Sequence, residues 1–194
     1  MHIYWLKQLL FAGIPLFVAI DPIGLVPLFL GMTEGIDHAR RRRISHQALA
    51  TAAVVLVGFM FLGKFTFRVV GITVGDFKIA GGLILFVLAS RDLVRTNGGP
   101  QVLPEDFGIV PLGLPLIAGP ATLTTLLILM DSVGIGFALT ALLLNLVIVA
   151  LAFYSADGLA RIIGQPGLRA VSKIVSLLLA AIAVSMIRRG WQSM

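Results

Sequence analysis

An acid followed by a proline, Asp21-Pro22, interrupts the apolar run AIDPIGLVPLFL at residues 19–30, and Pro27 follows shortly after. An ionisable side chain at membrane depth is costly and usually marks a ligand pathway or a proton relay. Aspartate favours the residue just before a helix, and proline favours the first helical position, where its missing N–H costs nothing. Asp21-Pro22 therefore reads as the end of one short helix and the start of another. Gly119-Pro120 reads the same way, with Gly119 permitting a backbone conformation that a larger residue would resist. The hydroxyls of Thr122, Thr124 and Thr125 follow that second break.

Each new helix start presents free N–H groups and the positive end of a helix dipole, an arrangement suited to a carboxylate. Asp21 supplies the opposite sign. A carboxylate held by helix N-termini and an ammonium held by Asp21 together describe a zwitterionic amino acid. The candidate binding residues are Asp21, Pro22, Ile23 and Gly24 at the first break, and Gly119, Pro120, Ala121, Thr122, Thr124 and Thr125 at the second. Asn145, polar within an apolar run, joins them, although hydrogen bonding between helices is its commoner role. A purely structural reading competes: prolines kink helices for packing, threonines bond back to their own helix, and Asp21 caps and does nothing else. If Asp21 titrates, it is a site for coupling to H+, with Na+ as the alternative ion; no cofactor is expected.

The elements that would carry these residues are membrane helices. The 194-residue chain is 58% hydrophobic and only 12% charged, about half the charge of a soluble domain. Its mean hydropathy is +1.02. Long charge-free runs match the roughly 20 apolar residues that cross a bilayer. Cysteine is absent, which excludes a disulfide framework and thiol chemistry. The net charge of +6 fits loops facing anionic lipid rather than nucleic acid. The N-terminal segment, with Tyr4 and Trp5 ahead of Lys7, reads as an uncleaved first span with an interfacial anchor.

Spans are predicted near 8–30, 44–63, 76–93, 109–130, 134–156 and 171–189. Lys78, Arg91, Lys173, Arg188 and Arg189 flank the short third and sixth and can snorkel to the interfaces. Six Lys and Arg residues lie on the side of the termini and nine, including Arg40 to Arg43, on the other. The positive-inside rule then puts both termini outside a cytoplasmic (inner) membrane.

The two halves resemble each other. AIDPIGLVPLFLGMT at 19–33 aligns with IAGPATLTTLLILMD, placing Pro22 on Pro120 and Met32 on Met130. RVVG at 68–71 matches RIIG at 161–164, and KIAGGLILFVLAS at 78–90 matches KIVSLLLAAIAVS at 173–185. A repeat with an odd number of spans inserts its second copy upside down, a device of secondary transporters. The expected fold is thus all-α integral membrane: one domain, 1–194, of six transmembrane helices as two inverted three-helix repeats. Repeat 1 covers about 1–93, a connector about 94–108 and repeat 2 about 109–194, with helices 1 and 4 broken at Asp21-Pro22 and Gly119-Pro120. The breaks would face each other near the midplane.

Other residues carry less. Lys64 and Asp157 occupy matched positions near span ends, where ordinary solvation outweighs a gating role. Gly81 and Gly82 suit close helix approach. His2, His38 and His46 have no metal-ligand spacing. No Ser-His-Asp set, phosphate-cradling glycine loop or pair of acids suggests an enzyme.

DPIGLVPLFL at 21–30 followed by RRRR at 40–43, EDFGIVPLGLPLIAGPATL at 105–123 and KIVSLLLAAIAVSMI at 173–187 resemble the signatures of the MarC family of bacterial and archaeal inner-membrane proteins. The likeness covers nearly the whole chain. It implies a six-span protein of a family often classed with small neutral amino acid transporters and grouped distantly with lysine and threonine exporters, the LysE superfamily. The family's historical name refers to multiple antibiotic resistance. Ala121 departs from the pattern, since many relatives carry Gly there; its methyl group would narrow the space at the helix start. The leading expectation is a secondary transporter of small neutral amino acids, working by alternating access around the two breaks. The alternatives are an exporter of hydrophobic or toxic compounds, and a non-transporting scaffold or intramembrane enzyme. The expected partners are the lipid bilayer and the small-molecule substrate, with no nucleic acid; the chain would be a monomer or a homodimer.

Overall fold

Apolar segments with so few charges must satisfy their own backbone groups, and helices do this within one segment. The structure, a computed structural model, describes residues 2–94 and 104–193, and every regular element among them is helical. Helices α1 (His2–Ile20) and α2 (Pro22–Met32) meet at Asp21; α3 (His38–Val70) and α4 (Val74–Val94) follow. After the connector, most of which (95–103) lies outside the described residues, comes an irregular segment, Gly108–Ile117. Helices α5 (Pro120–Val133) and α6 (Ile135–Trp191) complete the chain, and α6 is kinked at Gly164.

Among the described residues, four stretches are long and apolar enough to cross a membrane: Trp5–Met32, His38–Gly63, Ile135–Ala156 and Lys173–Trp191. A fifth is Gly108–Ile117 with Pro120–Val133, if this pair, bent by 52°, is one span. The expected third span is the 21-residue helix α4. Asp76 and Lys78 near its start, and Arg91 and Asp92 near its end, leave an uncharged core of residues 79–90, shorter than a membrane-spanning stretch.

The two breaks differ. At the first, Asp21 takes φ 52° and ψ 63°, a left-handed conformation that aspartate tolerates better than most residues. Backbone bonds still bridge it, from Asp21 N–H to Phe17 O (2.9 Å) and from Leu25 N–H to Asp21 O (3.0 Å), so Trp5–Met32 continues as one span. The second is not a helix cut at one point, which corrects the expectation for span four. Val110 (φ −127°, ψ 121°) and Leu114 (φ −135°, ψ 125°) are extended, and each precedes a proline. Proline sterically disfavours the helical conformation in the residue before it, and Pro111 and Pro115 act this way twice in succession. This segment lies tight against α3: a Cβ on Gly113 would stand 2.7 Å from Thr51 Cβ and 3.0 Å from Ala48 O.

Helix α4 runs antiparallel to the end of α6. A Cβ on Gly75 would fall 2.9 Å from Gly190 O, and one on Gly82 would fall 2.8 Å from Ala183 O. Gly82 thus allows the close approach expected of it. Leu16, Phe29, Leu56, Leu112, Leu126 and Leu142 are fully buried between the elements. Phe29 of α2 stacks on Phe153 of α6 with ring centroids 4.3 Å apart.

The turn from α2 to α3 is tied from both sides. Asp37 accepts a hydrogen bond from Arg40 N–H at 2.9 Å, which holds its carboxyl below the ordinary carboxylate range. Arg41, 5% exposed, donates from Nε to Thr33 Oγ1 (3.2 Å) and from a terminal nitrogen to Thr33 O (3.1 Å). The RRRR run therefore is not uniform: its second arginine is buried against the hydroxyl and carbonyl of Thr33, the residue that ends α2.

Candidate functional site

The stretch around the first break presents one face to a cleft. Asp21, Gly24, Leu25 and Leu28 line it, a helical stripe at i, i+3, i+4 and i+7. From the second break come Pro115, Leu116, Gly119, Pro120 and Ala121. Helix α4 contributes Lys78 and Leu85, and the end of α6 contributes Ile182, Met186 and Arg189. The cleft has a volume of about 240 Å³.

The antiparallel register of α4 and α6 orients this cleft. Gly75 lies against Gly190 and Gly82 against Ala183, so Lys78 and Arg189 stand at one level. Leu85 and Ile182 lie a further seven residues along their helices, about 10 Å at 1.5 Å per residue. The wall thus runs from two cations at one end to aliphatic side chains at the other. Asp21 is the single acid among the described lining residues.

Asp21 is exposed, and its carboxylate accepts a hydrogen bond from Gly24 N–H at 3.0 Å. A Cβ on Gly24 would collide with that carboxylate, so Gly24 makes room for the cap. Gly119 has φ −85° and ψ 170°, an extended conformation open to any residue. The expectation that glycine serves the backbone conformation there is corrected: a Cβ would stand 2.6 Å from Pro115 O, and that close approach is what requires glycine.

Of eleven candidate residues, Asp21, Gly24, Gly119, Pro120 and Ala121 share the cleft. Pro22 is buried behind it and Ile23, two residues past Asp21, faces away at 73% exposure. Thr122 is buried, donating to Ile117 O at 2.9 Å with Ala19 O at 3.4 Å. Thr124 bonds back to Pro120 O at 2.7 Å, and Thr125 is half-buried outside the cleft lining. Asn145 lies elsewhere, its amide donating to Gly13 O of α1 (3.2 Å) and to Ala141 O (2.9 Å), so it joins α6 to α1. Its buried Oδ1 has no hydrogen-bond partner among the described residues. Lys64 and Asp157 fall within α3 and α6, but their side chains lie outside the described residues. Reading from sequence took Lys78 and Arg189 as interfacial snorkels and missed them as cleft residues. Their one signal is their position at matched ends of two helices that pair antiparallel, and that pairing is a tertiary fact.

The family model of MarC family integral membrane proteins matches residues 6–194. The chain belongs to the MarC family. This MarC protein is 31% identical to the UPF0056 membrane protein MJ1677 of Methanocaldococcus jannaschii, over 95% of this chain and 96% of that one. It is also 31% identical to the UPF0056 membrane protein YvbG of Bacillus subtilis, over 93% and 92% of the two chains. To the UPF0056 inner membrane protein YhgN of Escherichia coli K12 it is 29% identical, over 95% and 96%. No solved structure matches it. With its several apolar helices, this MarC protein is a multi-pass integral membrane protein.

Proposed function

We propose that this MarC protein is a secondary transporter of a small zwitterion, most simply a neutral amino acid, bound in the cleft where the two breaks meet. One observation carries the reading: a single acid, Asp21, shares a small cleft with two cations, Lys78 and Arg189. Asp21 would hold the ammonium, and the cations with the start of α5 would hold the carboxylate. Dependence on the helix termini alone, as the sequence implied, gives way to a site with its own cations.

Alternating access is supported by the symmetry of the two halves. Gly71 (φ 71°) and Gly164 (φ 69°) end the matched RVVG and RIIG segments, and Gly35 (φ 73°) and Gly134 (φ 87°) close the corresponding turns before the second and fifth spans. Segments 78–90 and 173–185, alike in sequence, pack antiparallel along each other, as two copies in opposite orientation would. This supports six helices in two inverted repeats, with α4 as the third span, its terminal charges snorkelling. In that arrangement both termini lie outside a cytoplasmic membrane, and Lys78 and Arg189 line the outward mouth. Coupling to H+ or Na+ through Asp21 belongs to the same reading.

The aliphatic deep wall of Leu28, Leu85 and Ile182 favours a second reading, export of a hydrophobic compound. Its size argues against that. Sites for drug-sized ligands span roughly 300–1,000 Å³, more than this cleft offers. Uptake of labelled alanine into proteoliposomes separates the two. The transporter reading expects saturable uptake, competed by glycine and serine but not by ethylamine or propionate, each of which lacks one charge. Equal competition by ethylamine or propionate, or no saturable uptake with any neutral amino acid, would refute it.

A further inference from the structure

A second, larger cavity lies between the start of α3 and the middle of α6, with a volume of about 940 Å³. Its two ends differ in chemistry. Arg42, Ser45 and His46 of α3 face Tyr154 and Ser155 of α6 at one end, whereas Leu49 faces Val147 and Leu151 at the other. The Arg42 guanidinium carbon lies 5.8 Å from the centroid of the Tyr154 ring, a cation–π contact that fixes the register. From 42 to 49 on α3, and from 154 back to 147 on α6, the wall changes from cationic to aliphatic within about 10 Å. No acidic side chain occurs among the described lining residues. The cavity opens sideways on the bundle surface, since Leu151 is 64% and Tyr154 72% exposed.

We propose that this cavity binds an anionic phospholipid. The phosphate would sit against Arg42 and His46 with the hydroxyl of Ser45 as a further donor, and an acyl chain would lie along Leu49, Val147 and Leu151. A free phosphate would use only the polar end; the graded wall and the lateral opening suit a molecule that is charged at one end and apolar at the other. Basic pockets between membrane helices bind lipid headgroups on this principle. Arg41 lines the same cavity but is engaged with Thr33, so it shapes the wall and the exposed Arg42 carries the charge offered to the lipid. The site is separate from the cleft at Asp21 and independent of what that cleft carries.

The test is native mass spectrometry of the purified full chain, released from detergent with equal amounts of phosphatidylglycerol and phosphatidylcholine. Wild type should retain phosphatidylglycerol at least about tenfold over phosphatidylcholine. The Arg42→Gln/His46→Gln variant should lose this preference, and Leu151→Trp, which fills the apolar end, should lower retention of both lipids. Arg43→Gln, an exposed neighbour outside the cavity, should change little. Thermal melting of each variant in detergent confirms that it is folded. Equal retention of the two lipids by wild type would overturn the proposal. So would an Arg43→Gln effect as large as that of the double variant, which would mean diffuse surface charge. Displacement of the lipid by millimolar inorganic phosphate would overturn it too, by assigning the cavity to a free anion.

Discussion

The hydroxyl of Thr122, three residues past Gly119, lies 3.4 Å from the carbonyl oxygen of Ala19, two residues before Asp21. The same hydroxyl donates to Ile117 O at 2.9 Å. One buried side chain therefore stands between the carbonyls on the N-terminal side of both breaks, and the two interruptions are joined through it.

Thr122→Val keeps the shape of this side chain and removes its proton. The Ile117 carbonyl, whose helix is already interrupted, is then left without its donor. We expect a loss of about 1–3 kcal/mol, read as a lower melting temperature in detergent, with Thr122→Ser close to wild type.

Asp21→Asn separates charge from structure. Asparagine caps helices as well as aspartate and also tolerates the left-handed conformation observed at this position. The variant should melt near wild type while alanine uptake falls about ten- to a hundredfold, the equivalent of one hydrogen bond to a charged group. Uptake at the wild-type rate would remove Asp21 from the site.

Gly119→Ala and Ala121→Gly should read out differently, the first in stability and the second in selectivity. A Cβ at Gly119 meets Pro115 O at 2.6 Å, an overpacking that costs about 1–3 kcal/mol. Ala121 is exposed and lines the cleft, so removing its methyl group should leave stability within about 1 kcal/mol and widen the range of competing amino acids in the uptake assay.

Gly164→Ala probes the kink in α6. With φ 69° and ψ 170°, Gly164 occupies a region essentially confined to glycine, and a side chain there costs about 1–3 kcal/mol. The expected readout is lowered melting temperature with the transport KM unchanged, because Gly164 does not line the cleft.

Arg189→Gln tests the carboxylate partner. Arg189 is exposed at the cleft mouth near the end of α6, so stability should hold. The KM for alanine should rise roughly tenfold or more, the worth of one charge-assisted hydrogen bond.

Membrane residence, the helical character of the chain and the helix starts at Pro22 and Pro120 were legible in the amino-acid order. Their causes act within a few residues: a missing N–H at Pro22 and Pro120, a capping carboxylate at Asp21, apolar runs that must bond to themselves. Ile23 was counted among the candidates on proximity alone; the helical period that puts Asp21, Gly24, Leu25 and Leu28 on one stripe leaves it off the cleft. The irregular path of Gly108–Ile117 had a local sign in Pro111 and Pro115, each able to push its predecessor out of the helix.

What the tertiary structure alone decided is which distant residues share a space. Lys78 and Arg189 look like ordinary interfacial cations until α4 pairs antiparallel with the end of α6 and sets them at one cleft with Asp21. Arg41 looks like its three neighbours until the turn at 33–37 folds its carbonyls over it. Sequence specifies the rotation of a side chain around its own helix, through the fixed period of the backbone. The depth, register and partner of that helix come from packing between elements far apart in the chain, which no local pattern records.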